Sequence, residues 1–538
     1  MNRLLVPLAL LAVAAAAWFG SDYLGNPDVR TPILEELTSS DTPMLSARRM
    51  PELLVSPIAE RALSSELEQV AVGGACLVVT DGPDVIYDHQ SSVSFTPASV
   101  QKLLTGFAAL EQFGPNHRFV TRLMALSQPE NGTLQGNLYL VGGGDPLLMT
   151  ADYAQTLRHP PQLRTPIVEL ADDLVRSGVS TINGGVHAVE TRYDTDRYPD
   201  GWPERFATQG QSGPLSALMI NDGFTSWPAN ANDWRFGDPP VAADDPALAA
   251  ARLFDDLLEA QQVIISGGAR NVTRDDLAGI EENLIELASI ESPPMSEIVR
   301  QMLVQSDNTT AELLLKAIGL EANNAGTTQV GARAVQSILA DSGLPRLEVP
   351  PADGSGLDAG NKVSCRYVAD LLERAIPGVT PFGDALPIAG QDGTLAERFV
   401  GTIAEGRVRA KTGTLNDVTA LAGVVETEKG DLLQFAYILN LVNGQTVSDA
   451  IVDLQEDLGV ALVNYPAGPS VDEVAPAGAN AIAAEALGVD TESIAESIEI
   501  EPLEPSQPAT STGSEPGDEK IEELRELFED IQNEENEG

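Results

Sequence analysis

The chain has 538 residues and a formal net charge of −48, with 32 Lys and Arg against 80 Asp and Glu. A hydrophobic fraction of 43% supplies a large core, which excludes a wholly disordered chain, and two cysteines exclude a disulfide-stapled miniprotein. No block of Lys or Arg occurs, so binding to nucleic acid is electrostatically opposed and nucleic-acid partners are set aside.

In chain order, the first 20 residues read MNRLLVPLALLAVAAAAWFG, one Arg followed by an apolar stretch with small residues near its end. This is an export signal, and both a cleaved signal peptide and a retained membrane anchor fit its length. It places the mature chain outside the cytoplasm. Residues 21–55 are mixed and Pro-containing, a linker. Glu60 to Val70 carry a helical pattern, and GACLVVTDG and DVIYDHQ then read as two strands about a Gly-Pro turn. FTPASVQKLLTGFAALEQFG predicts a helix entered through Pro97 and ended by Gly114.

From 115 to 285 the texture changes to short strands (FVTRLMAL, GNLYLVGGG, GGVHAVE), helices (IVELADDLVRSG, PALAAARLFDDLLEAQ) and long Pro/Gly/Trp loops, which reads as an insertion. Helical patterns return from Pro293, and RVRAKTGT, VTALAGVVET and LLQFAYILNLV follow as strands. Helices flanking an antiparallel sheet make the core, residues 56–114 with 286–465, an α+β fold. The tail, 466–538, holds 20 acids against two bases and is expected to be mostly disordered. Its segment 520–532 spaces Ile521, Leu524, Leu527, Phe528 and Ile531 as a helix, either a solvated one or one that docks a protein partner.

Cys76 and Cys365 fit no metal spacing and read as plain buried thiols, with a single disulfide as the alternative. The four histidines form no ligand pair, so no metal is assigned. Lysine is scarce, with six in the chain, so each position counts. The GxSxG elbow is absent, and the Gly-Ser-Gly of DGSGL reads as a structural turn.

Three segments carry chemistry. Ser99 is followed three positions later by Lys102, which on a helix puts the amine beside the hydroxyl, near backbone N–H groups at the helix start. A lysine serves as base to a serine only when burial or a second cation lowers its pKa, and Lys411 is the cation expected to supply that. Ser306-Asp307-Asn308 precedes a helix, where capping is the plain reading of Asp307. Lys411-Thr412-Gly413-Thr414 ends a strand, suited to holding a carboxylate-bearing peptide. SxxK, SDN and KTG together are the motif set of β-lactamases and penicillin-binding proteins.

With these motifs in order, joined by Gly144-Asp145-Pro146, Asp353-Gly354-Ser355-Gly356 and GQDGTL at 390–395, the chain resembles the D-alanyl-D-alanine carboxypeptidase/endopeptidase family. This is the class C group of low-molecular-mass penicillin-binding proteins, and the likeness covers about residues 55–465. The resemblance implies a β-lactamase/transpeptidase-like core with a large insertion between the first two motifs. It implies N- and C-terminal strands in one sheet, with the Ser99 helix behind it. It further implies Ser99 as acylated nucleophile, Lys102 as its base, Ser306 as proton relay and Asn308 as holder of the substrate carbonyl. Lys411, Thr412, Gly413 and Thr414 would take the terminal carboxylate, and the backbone N–H groups of Ser99 and Thr414 would form the oxyanion hole. The expected substrates are peptidoglycan stem peptides ending in D-Ala-D-Ala, with β-lactam antibiotics as inhibitors and no cofactor. The run Asp358-Ala359-Gly360-Asn361-Lys362 departs from the family pattern. A serine β-lactamase and a non-catalytic cell-wall binding or scaffolding protein are the alternatives.

Overall fold

The computed structural model describes residues 52–465, apart from 161, 229–238 and 443–444. The export segment, most of the linker and the acidic tail with its 520–532 segment lie outside the described residues. Among the described residues no helix is long and apolar enough to cross a membrane.

The principal elements begin with helix α1 (Glu52–Val70), the hairpin β1 (Ala75–Asp81) and β2 (Asp84–His89), and helix α2 (Gln101–Phe113). The inserted segment contributes β3 (Val120–Ala125), β4 (Leu138–Val141), α3 (Ile167–Arg176), β5 (Val186–Val189), α4 (Pro246–Ala260), β6 (Arg270–Val272) and β7 (Ile285–Glu291). Then come α5 (Met295–Gln305), α6 (Asn308–Asn323), α7 (Thr328–Asp341), α8 (Cys365–Leu372), β8 (Val408–Thr414), β9 (Val418–Glu426), β10 (Leu432–Asn440) and α9 (Asp449–Asn464).

The core sheet runs β8-β9-β10-β1-β2 and is antiparallel throughout, so the first and last strands of the core meet where β1 pairs with β10. Its three central strands, β9, β10 and β1, are nearly continuously apolar because both faces are covered, and the strand period of two sorts the side chains. Cys76, Val78, Ala420, Ala422, Ala436 and Ile438 face the helical layer built on Leu103, Leu104 and Phe107 of α2. Leu77, Val79, Leu421, Phe435 and Tyr437 face the opposite layer, where Leu67 of α1 and Leu458 and Leu462 of α9 cover them. At about 25 cal/mol per Å² of buried apolar surface, this double coverage is what fixes strand register, since a one-residue slip would exchange the two faces.

The inserted segment has its own mixed sheet, β6-β5-β4-β3-β7, and its own core, with Leu123, Leu140 and Ala188 packed against Leu170 and Leu174 of α3 and Phe254 of α4. β7 pairs with β3 along its length, so this sheet runs on to Glu291, past the boundary at 285 that the texture suggested.

The two cysteines are joined. Cys76 on β1 and Cys365 at the start of α8 form a disulfide across 289 residues, with Cα atoms 5.9 Å apart. This corrects the reading as plain thiols. Sequence spacing carries no information about such a pair, because the sheet face and the helix start that bring the two sulfurs together are distant in the chain. An oxidising compartment is where such a bond persists.

Candidate active site

Pro97 leads into a 3₁₀ turn, Ala98–Val100, that runs into α2, so Ser99 sits at the helix mouth and Lys102 in its first turn. Ala98 has φ of 46°, a left-handed conformation that a residue with a Cβ adopts only when its surroundings hold it there. Two contacts do so. A Cβ on Gly356, itself at φ 88°, would lie 1.9 Å from Ala98 O, and one on Gly413 would lie 2.7 Å from Pro97 O and 3.2 Å from Ser99 N. Glycine at both places lets the 353–356 loop and strand β8 close on the turn that carries Ser99.

Lys102 is fully buried, and its Nζ lies 2.9 Å from Ser99 Oγ. The same amine donates to Asn308 Oδ1 at 2.7 Å and to the carbonyl of Ser355 at 2.7 Å. Burial pulls the Lys102 amine down from 10.5 to about 8, while the charges of Asp353, Asp307 and Glu312 oppose the drop. A neutral amine has two hydrogens and one lone pair. With both hydrogens committed to carbonyl-type acceptors, the lone pair is left for the Ser99 hydroxyl, the arrangement a general base requires.

Ser306 ends α5 in the left-handed region at φ 57°, and Asp307 caps α6 by accepting from Thr310 N at 3.1 Å and Thr310 Oγ1 at 2.6 Å. The capping role expected of Asp307 is therefore present, and it turns Ser306 and Asn308 toward the cleft. Asn308 spends one of its amide hydrogens on Gln211 O of the inserted segment, at 2.6 Å.

Lys411 and Gly413 lie on the face of β8 toward the helical layer, paired with Ala422 and Ala420. Lys411 is fully buried and donates to Thr412 O at 2.9 Å. Burial lowers its pKa well below the ordinary lysine value, and Lys102 lowers it further. Burial, rather than the charge expected of Lys411, is thus what makes the Lys102 amine available. Thr412 Oγ1 lies 2.7 Å from Thr394 Oγ1 of the 390–395 loop.

Ser99, Ser306, Asn308, Thr412 and Thr414 line one cleft of about 1370 Å³. The inserted segment closes its other side with Tyr153, Arg158, His159, Gln211 and Asp222. None of these five was singled out from sequence, because nothing in their local spacing ties them to the motifs. Asp353, Glu312 and Asn361 were also missed as a group. Asp353 accepts from Gly356 N, Asp358 N, Asn361 Nδ2 and, at 2.7 Å, Trp202 Nε1 of the inserted segment. The run that departs from the family pattern braces this loop: Asn361 is buried on Asp353, and Lys362 Nζ donates to Thr96 Oγ1 at 2.7 Å. The DGSGL loop, read from the sequence as a structural turn, also brings the carbonyl of its serine to Lys102.

An antiparallel sheet with a serine and a lysine at the mouth of the helix behind it is the architecture of the β-lactamase/transpeptidase-like class. The solved structure of penicillin binding protein 4 (dacB) from Haemophilus influenzae shares this fold, with TM-score 0.60 and 22% identity over 74% of this chain and 98% of that one. The family model of the D-Ala-D-Ala carboxypeptidase 3 (S13) family matches residues 54–240 and 238–458, and the chain belongs to that family. It is similar to a D-alanyl-D-alanine carboxypeptidase of Actinomadura sp. (strain R39), 30% identical over 73% of this chain and 82% of the relative. It is also similar to a carboxypeptidase of Mycobacterium tuberculosis, 28% identical over 74% of this chain and 86% of that protein. The enzyme is accordingly a serine-type peptidase.

Proposed function

We propose that the protein cleaves the terminal D-Ala-D-Ala bond of peptidoglycan stem peptides, outside the cytoplasm, through an acyl-enzyme on Ser99. The observation that carries this reading is the Lys102 amine 2.9 Å from Ser99 Oγ, buried and oriented by two carbonyl-type acceptors.

Ser99 Oγ attacks the carbonyl carbon of the penultimate D-Ala as its proton passes to Lys102 Nζ. The negative charge that develops on the carbonyl oxygen is held by the backbone N–H groups of Ser99 and Thr414; one such donor is worth about 3–4 kcal/mol in other hydrolases. The C–N bond then breaks as Ser306 passes its proton to the departing amine and takes in its place the proton held by Lys102, so that D-Ala leaves and Lys102 is neutral again. Water hydrolyses the Ser99 ester, with Lys102 again taking a proton. Asn308 uses its second amide hydrogen on the substrate's peptide carbonyl. The terminal carboxylate binds at the edge of β8, where Thr412 and Thr414 hydrogen-bond it and its charge favours protonation of the buried Lys411.

Penicillin, whose strained amide and carboxylate present the same groups, acylates Ser99 by the same path. A cleft of about 1370 Å³, walled by the inserted segment, also has room for a leaving amine larger than D-Ala and with it favours hydrolysis of D,D cross-links. Incubation with an N-acylated peptide ending in D-Ala-D-Ala is expected to release D-Ala, and Ser99→Ala is expected to release none. Undiminished release by Ser99→Ala would overturn the assignment.

A further inference from the structure

Helix α6 carries a line of polar side chains on one face. Asn308, Glu312 and Lys316 are each one turn apart, and Glu312 and Lys316 are buried in a stretch otherwise occupied by Leu313, Leu314 and Leu315. Each holds a different piece of the molecule. Asn308 receives the Lys102 amine. Lys316 pairs with the Asp194 carboxylate and donates to Asp196 O at 2.8 Å, both in the inserted segment. Glu312 takes the backbone N–H of Gly354 at 3.0 Å and of Ser355 at 2.8 Å on Oε1, with Gly354 N also 3.2 Å from Oε2.

Among the described residues the 353–356 loop has no strand partner, so these side-chain acceptors set its position. Its Ser355 carbonyl is one of the two groups that orient the Lys102 amine. From the other side, Asp353 anchors the loop to Trp202 of the inserted segment. Burying a carboxylate is costly, and a leucine would satisfy packing on this face. What a leucine cannot do is accept two backbone N–H groups.

We propose that Glu312 is a positioning residue for Lys102: by fixing the Gly354–Ser355 backbone it aims the Ser355 carbonyl at the amine and so leaves the amine's lone pair on Ser99. Lys102 and Asp353 are the charged groups that face it, and burial together with Asp353 raises its own pKa to about 8. The inference rests on the reading of Ser99 and Lys102 given above.

The test is stopped-flow acylation by benzylpenicillin, separating the dissociation constant of the first complex from the acylation rate constant. Glu312→Met keeps the bulk of the side chain and removes both acceptors; it is expected to slow acylation at least tenfold and leave the first dissociation constant within about twofold. Glu312→Gln retains an oxygen where Oε1 accepts and is expected to recover most of the rate. Trp202→Phe, at a partly exposed position, releases the same loop from the other side and is expected to slow acylation with first binding unchanged, which keeps the test open if Glu312→Met does not fold. Wild-type acylation rates in folded Glu312→Met, or a Glu312→Gln loss as large as that of Glu312→Met, would overturn the proposal. Absence of wild-type acylation at Ser99 would instead overturn the underlying reading.

Discussion

The pH dependence of Ser99 acylation follows from the environment of one amine. An ordinary lysine at 10.5 is about 0.03% neutral at pH 7, whereas a value of about 8 makes roughly a tenth of Lys102 neutral, a gain of about 300-fold in competent base. Acylation by benzylpenicillin should therefore rise close to tenfold from pH 6 to 7 and level off above about 8. The same depression has a stability signature. Between about 8 and 10.5 the unfolded chain holds a proton that the folded chain has released, so stability increases with pH through that window. Below 8 the burial costs a constant amount, about 3 kcal/mol for the drop from 10.5 to about 8. The decisive assay is the acylation rate constant against pH for wild type and Lys102→Met, with urea denaturation over the same range. Lys102→Met should lose acylation and make the rise in stability between pH 8 and 10.5 shallower, the remainder coming from buried Lys411. A wild-type rate that is flat from pH 6 to 9, or that inflects near 10.5, would refute the claim that burial prepares this base.

Three further outcomes are expected. Gly413→Ala places a methyl 2.7 Å from Pro97 O and 3.2 Å from Ser99 N, so β8 and the nucleophile turn must part; acylation should fall at least tenfold while circular dichroism stays native, and an unchanged rate would contradict the packing argument. Replacing Cys76 and Cys365 by Ala removes a cross-link spanning 289 residues and should lower unfolding free energy by about 2–5 kcal/mol in urea titrations, with an unshifted midpoint as the contrary result. Asp194→Ala strands the buried Lys316 and should destabilise the protein by about 3–5 kcal/mol, whereas the double variant with Lys316→Met should recover part of the loss.

Much of this was legible in the sequence, for identifiable reasons. The central strands announce themselves as apolar runs because they are covered on both faces, and α2 is bracketed by Pro97 and Gly114. Ser99 and Lys102 are local neighbours on one turn, so spacing alone pairs them. What spacing could not supply is contact between distant segments. Cys76 meets Cys365 only because a sheet face and a helix start converge. Strand β7 joins the inserted sheet through pairing with β3, which no composition change at residue 285 could signal. Helix α9 follows the last core strand and covers Leu77, Val79 and Tyr437, a role visible only once the sheet is assembled. A hint of Glu312 was present: an acidic residue one turn after Asn308, set among leucines, is a buried charge in search of partners. Its partners, two backbone N–H groups of the 353–356 loop, were beyond any local pattern.

The measurement that bears most directly on the account is intact-protein mass spectrometry after incubation with benzylpenicillin, followed by peptide mapping. A persistent adduct on Ser99, absent from Ser99→Ala, is the predicted result. No adduct on folded protein, or an adduct on another residue, would contradict the Ser99 mechanism, and one that disappears within seconds would point to a β-lactamase instead.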